Sequence, residues 1–300
     1  MGKRIISDEF ISHLESLVLN MKKPMQGFFG GNHRTTTYGS TVEFADYREY
    51  VLGDDLRRID WNLYSRFEKH YIKLFVDERQ MHIQFFIDCS ASMNFEISKK
   101  KETALKMAAA LGYLSIHNMD KISYKFILED HADDLSGVIS GKDAFFRSLE
   151  QLETIEFKGG SDLEKAIKGC VNPGYNDGLT VIISDFLTDS NWKAAVDYLL
   201  YRHRDVMLIQ VLSPDEISPS YNGRMVLIDS ESTTEEIDTK NLKMRITKSE
   251  FEAYKEALKD YLEDIKKFCI SRNVGYLRIS TDTNIEKYFL EQLYETGVIK

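Results

Sequence analysis

The stretch MHIQFFIDCSASM, residues 81–93, decides the fold. Its first eight residues are a nearly continuous apolar run of strand length, as expected of a strand buried on both faces. The run breaks at Asp88 into the polar loop Cys89-Ser90-Ala91-Ser92, and an Ala/Leu-rich helix follows over 98–118. Strand, polar loop, helix is the repeating unit of a parallel sheet covered by helices.

Working outward, the same alternation recurs. ISYKFILE (122–129) reads as a strand, and 142–153 and 162–169 read as helices. LTVIIS (179–184) is the most apolar strand of the chain, with a helix through Trp192, Val196 and Leu199 behind it. VMLIQVL (206–212) and VGYLRIS (274–280) are further strands, and a last amphipathic helix closes the chain. The helix 248–271 puts Phe251, Tyr254, Leu258, Tyr261, Ile265 and Phe268 on one face, with Thr247 and Glu250 as its capping box. A polar hairpin insertion is expected at about 220–246. The fold class is α/β, a doubly wound and mainly parallel sheet. Residues 1–80 read as a separate amino-terminal appendage. It joins a helix over 8–21, carrying Phe10 and Leu14, to a turn-rich and β-rich stretch holding GDDLRRIDW (53–61). Residues 81–300 form the main domain.

Composition narrows the function classes. The chain has 300 residues, 43% of them hydrophobic and 29% charged, with only 4 Pro, which excludes disordered and low-complexity architectures. The formal charge of −9 is the wrong sign for a nucleic-acid or anionic-membrane binder. No apolar run reaches the roughly 18 residues a membrane span needs, and the start MGKRIISDEF lacks a signal-peptide core. Three widely spaced cysteines, Cys89, Cys170 and Cys269, point to reduced thiols and a cytoplasmic setting.

In a doubly wound sheet, function gathers where strands end and helices begin. Three such loops carry oxygen ligands: Asp88-Cys89-Ser90-Ala91-Ser92, Gly159-Gly160-Ser161-Asp162, and Ser184-Asp185. Carboxylates with hydroxyls suit a hard cation, Mg²⁺ or Mn²⁺, better than zinc. The plainer alternative makes each loop a helix cap: Asp88 or Ser92 for the helix near 98, Ser161 with Glu164 as a capping box, and Asp185 for the helix near 191. A metal-dependent phosphohydrolase could use the same oxygens. However, Ser90 stands where a dehalogenase-type phosphatase needs a second aspartate, and no nucleophile elbow or phosphate-binding loop is present.

DCSAS, GGSD and ISD resemble the three loops of the metal-ion-dependent adhesion site of von Willebrand factor A domains. EFADYREYVLGDDLRRIDWNLYSR (43–66), followed by KLFVDER, resembles the bacterial domain-of-unknown-function family 58, whose members accompany MoxR-type AAA+ ATPases. The resemblance covers roughly residues 27–290. It implies a von Willebrand A-like sheet with one short antiparallel edge strand, placed here at 135–140. It also implies a metal held by Asp88, Ser90, Ser92, Ser161 and Asp185, Ser161 standing where the family usually offers Thr. The implied role is recognition without catalysis, the metal accepting a Glu or Asp from a protein partner, either the ATPase or its client. The segment holding Asp54, Asp55, Arg57, Arg58, Asp60 and Trp61 reads either as an ion-pair network or as a docking surface.

Overall fold

The computed structural model describes residues 6–19, 42–77, 80–94, 98–134, 136–170, 178–188, 190–218, 248–285 and 287–288. Its elements are α1 (Asp8–Leu19), β1 (Val42–Glu49), α2 (Trp61–Phe67), β2 (Tyr71–Asp77), β3 (His82–Asp88), α3 (Lys100–His117), β4 (Lys121–Leu128) and β5 (His131–Asp134). There follow α4 (Lys142–Thr154), α5 (Leu163–Cys170), β6 (Gly178–Ser184), α6 (Trp192–Tyr201), β7 (Arg204–Leu212), α7 (Pro214–Ile217), α8 (Lys248–Ser271) and β8 (Gly275–Ser280).

The main sheet has the order β5-β4-β3-β6-β7-β8. Every pairing is parallel except that of β5 with β4, so the fold is the mainly parallel α/β sheet that the strand–loop–helix order predicts. Both faces are covered. Ile83, Phe85 and Ile87 of β3 point into a core built with α1, α3 and α4, whereas Phe86 points into a second core shared with α5, α6 and α8. Helix α3 is buried almost throughout, and Gly112 lets it lie close on β4. A Cβ there would stand 2.1 Å from the Tyr124 hydroxyl.

The chain leaves β3 toward β4 on one side and returns to β6 on the other. The crevice at the carboxyl ends of β3 and β6 is therefore the topological switch point, where ligands of open α/β sheets bind.

Two features differ from the sequence reading. The antiparallel edge strand is His131–Asp134, not 135–140. HADD lacks an apolar run because an edge strand faces solvent along one side, while Ile139 makes only an isolated bridge to Ile122. The boundary of the appendage also moves. Residues 32–80 form one compact unit, and 1–31 join 81–300 in the other. The reason is the apolar stripe of α1: Phe10 and Leu14 are buried in the core of the sheet domain. The hairpin at about 220–246, Thr247 and most of the last helix lie outside the described residues.

The smaller unit is an antiparallel pair, β1 with β2, joined through a 3-10 turn at Leu56–Arg58 and α2. Capping aspartates set these short elements. Asp55 accepts the Arg57 N–H, and Asp60 accepts those of Asn62 and Leu63.

Candidate metal site at the sheet switch point

The three loops converge. Asp88 ends β3, nine-tenths or more buried, and its Oδ1 accepts the Ser90 N–H at 3.0 Å. Its Oδ2 accepts the Ser161 hydroxyl at 3.2 Å and the Ser184 hydroxyl at 2.6 Å. Ser90 and Ser92 share a hydroxyl–hydroxyl bond of 3.0 Å, and the Ser92 hydroxyl donates to Asp185 Oδ2 at 2.9 Å. All five sequence-derived oxygen ligands thus join one hydrogen-bonded cluster. Asp88, Ser90 and Asp185 are buried, while Ser92 and Ser161 are partly exposed and form its outer side.

None of these residues is spent on the caps that competed for them. Lys99 precedes α3 and makes no side-chain cap. Asp162 Oδ1, not Ser161, accepts the Lys165 N–H at the start of α5. Asn191 caps α6 by accepting the Ala194 N–H, and Asp185 instead accepts the Leu187 N–H across its own loop.

The surrounding backbone fixes the cluster. Ala91 N–H donates to Gly159 O at 2.8 Å and Lys158 N–H to Cys89 O at 2.8 Å, tying the first loop to the second. Phe186 has φ +56°, the left-handed region that a bulky residue adopts only when its surroundings enforce it. Three contacts do so. The Phe186 N–H bonds the Ser184 hydroxyl, its carbonyl accepts the Tyr261 hydroxyl, and its ring is buried against Trp192. The strain sits beside Asp185, which is why that carboxylate turns back over the sheet edge.

Burial first, and then the neighbouring charge of Asp185, raise the pKa of Asp88 above the ordinary carboxylate range. Two buried carboxylates linked through one hydroxyl cluster need positive charge. Lys100 supplies some of it. Its ammonium, 2% exposed, donates to Asp185 Oδ2 at 2.8 Å and to Glu216 Oε1 at 2.6 Å. Burial pulls Lys100 down, but the two carboxylates outweigh it and hold the ammonium above its usual value.

The donor set is oxygen only: two carboxylates and three hydroxyls, which fit a hard divalent cation and neither zinc nor copper. Among the described residues no three His, Cys, Asp or Glu side chains gather to hold a metal by themselves. Any cation here would depend on the hydroxyls. Cys89 is no ligand: its thiol faces Ile87 O at 3.5 Å, and burial pushes its pKa upward.

Sequence reading missed three members. Ser184 was passed over as the end of a strand. Glu216 was hidden in the unremarked pattern Ser213-x-x-Glu216, which forms a complete capping box on α7. Lys100 did carry a signal. Lys99-Lys100-Lys101 opens α3, where positive charge opposes the helix dipole, so a partner had to lie nearby.

The segment 54–61 is not part of this cluster. Asp54 accepts the Val51 N–H and pairs with Arg48 at 2.9 Å, while Asp60 pairs with Lys73 at 3.0 Å. The Val51 N–H, then Arg48, lowers the pKa of Asp54, and the Lys73 bond lowers that of Asp60. These bonds all stay within residues 32–80. Arg57 and Trp61 have exposed side chains, and the side chain of Arg58 lies outside what the structure describes.

The family described as "Protein of unknown function DUF58" matches residues 46–258, a span that holds GDDLRRIDW and all five oxygen ligands. The chain belongs to the DUF58 family. An uncharacterized protein of Mycobacterium bovis and one of Mycobacterium tuberculosis are each 29% identical to this DUF58 chain over 224 residues, 73% of its length and 70% of theirs. Among solved structures, the conserved hypothetical protein BatB from Bacteroides thetaiotaomicron aligns over 72% of the chain and 98% of its own, with 14% identity and a TM-score of 0.45. The SpRpn10 VWA domain aligns over 71% and 95%, with 10% identity and a TM-score of 0.39. No helix among the described residues is long and apolar enough to cross a membrane.

Proposed function

We propose that this DUF58 protein is a non-enzymatic, metal-dependent interaction module. It holds Mg²⁺ or Mn²⁺ at Asp88, Ser90, Ser92, Ser161 and Asp185 and recognises a Glu or Asp side chain of a protein partner. One observation carries the reading: five oxygen side chains from three strand-end loops meet at the switch point, and none of them is used as a helix cap. Hydroxyl ligands leave a bound divalent ion with most of its positive charge, so the chemistry it supplies is attraction of an anionic oxygen. The protein's own part is to hold the hydroxyls in place through the backbone ties between the loops.

The surroundings favour binding over turnover. The other ionisable side chains bonded into the cluster are Lys100 and Glu216, and they are engaged with each other and with Asp185. Neither is free to act as a general base, and the Cys89 thiol is held protonated. A MoxR-type AAA+ ATPase, or its client, is the proposed partner, by resemblance to the family, in a cytoplasmic setting.

The test is capture of the cognate MoxR-type ATPase by the full chain, with and without EDTA. The Asp88→Ala variant and a phosphatase assay on Mg²⁺-loaded protein run alongside. Capture abolished by EDTA and by Asp88→Ala, with no phosphate release, is the expected result. Metal-dependent phosphate release, or capture indifferent to both changes, would overturn the reading.

A further inference from the structure

We propose that Lys100 is a positioning residue of the candidate site, a resident counter-cation that competes with a divalent ion for Asp185 and so sets how weakly the ion is held. The proposal rests on the metal reading above and goes beyond it, because the adhesion-site pattern consists of oxygen ligands and contains no lysine.

Three observations converge on Lys100. Its ammonium holds Asp185 Oδ2, the same oxygen that accepts the Ser92 hydroxyl, so it engages the face of the carboxylate that looks toward the other ligands. It lies in the first turn of α3, where a buried cation is opposed by the helix dipole and persists only because two carboxylates hold it. Its second carboxylate, Glu216, is itself fixed: Glu216 Oε2 accepts the Ser213 N–H at 2.8 Å and the Ser213 hydroxyl at 3.0 Å.

The consequence follows from charge. With Lys100 in place, part of the negative charge at Asp185 is already neutralised, and a divalent ion entering the cluster meets a like charge at the shared oxygen. Its affinity falls. Glu216 offers the ammonium an alternative partner, so Lys100 can lean toward α7 when an ion takes Asp185. The lysine thereby couples the loop after β6 to the loop after β7, an extension of the site to a fourth strand end.

A merely structural ion pair would behave differently: removing it would loosen the site and weaken metal binding or leave it unchanged. The experiment is Mn²⁺ calorimetry on the full chain, with melting temperatures in EDTA and in saturating Mn²⁺. The variants are Lys100→Met, Lys100→Arg and Glu216→Gln, and Asp88→Ala tests the site itself. Lys100→Met is expected to melt lower than wild type in EDTA, to bind Mn²⁺ at least tenfold more tightly and to gain more from Mn²⁺. Lys100→Arg should keep wild-type affinity. Glu216→Gln, which leaves the ammonium on Asp185 alone, should bind Mn²⁺ several-fold more weakly, and it tests the idea even if Lys100→Met fails to fold. Binding to wild type that Asp88→Ala abolishes but that neither Lys100→Met nor Glu216→Gln shifts in these directions overturns the role of Lys100 and leaves the metal reading intact. No Mn²⁺ binding to wild type or to any variant overturns both.

Discussion

The two ends of the main sheet both bury polar groups, and they satisfy them in opposite ways. At the amino end, Arg204 is 2% exposed and its guanidinium donates to His82 O at 2.9 Å, Leu179 O at 2.6 Å and the Thr180 hydroxyl at 2.8 Å. Gly178, at φ +139°, makes room for this, since a Cβ there would stand 2.3 Å from His82 O. That end ties side chains to backbone. At the carboxyl end, the bonds run mainly between side chains: hydroxyl to carboxylate, hydroxyl to hydroxyl, ammonium to carboxylate. The lesson is that burial of charge does not by itself mark a site. Arg204 staples strands together, whereas Asp88 costs the fold something, because its carboxyl is held at a raised pKa by burial and by Asp185.

The largest expected effect is at the structural end. Arg204→Ala leaves two buried carbonyls and a hydroxyl without their donor and should cost about 3 kcal/mol or more of stability in chemical denaturation. Mn²⁺ affinity should stay as in wild type. A loss of metal binding equal to that of a site variant would erase the contrast between the two ends.

Next comes the opposite pattern. Asp88→Asn should abolish Mn²⁺ binding yet change stability in EDTA by no more than about 1 kcal/mol, because serine hydroxyls can accept where they previously donated. A large loss of stability would make Asp88 a structural residue.

Acid titration gives a smaller effect, and one of two signs. Burial first, then the charges of Arg204 and Lys125, pulls His82 down from 6.5 to about 4. Below pH 6.5 the unfolded chain therefore takes up a proton that the folded chain refuses, and stability falls as pH drops toward 4. Burial pushes Asp120 up from 3.8 to about 6. Its contribution works in reverse, present at low pH and lost as pH rises through 6. Equilibrium unfolding across this window should become less acid-sensitive in His82→Gln and more so in Asp120→Asn. Parallel shifts of the two variants would contradict the assignment.

The smallest effect belongs to Ser161. Because Asp162 caps α5, Ser161→Ala should move stability by less than about 1 kcal/mol while weakening Mn²⁺ binding. Ser161→Thr should bind as well as wild type or better, the added methyl restricting the rotamer. If Ser161→Ala lowers the melting temperature but not the affinity, Ser161 belongs to the helix and not to the site.

The sheet was legible because β3, β6 and β7 are apolar runs of strand length, and periodicity reports that directly. The oxygen cluster was legible because each loop follows a strand or opens a helix. What escaped had no local pattern. HADD is polar because it is an edge. The place of α1 in the main core depends on packing across more than 80 residues of sequence. The ion pairs of Lys100 with Asp185 and Glu216 join residues 85 and 116 positions apart. Such pairs are visible only in three dimensions.

The central claim is that the carboxyl end of the sheet holds a divalent cation. Mn²⁺ titration of the full chain by calorimetry, beside Asp88→Ala, tests it most directly. The account predicts weak binding of one ion per chain in wild type and none in the variant. No binding to wild type, or the same isotherm in both proteins, would contradict it.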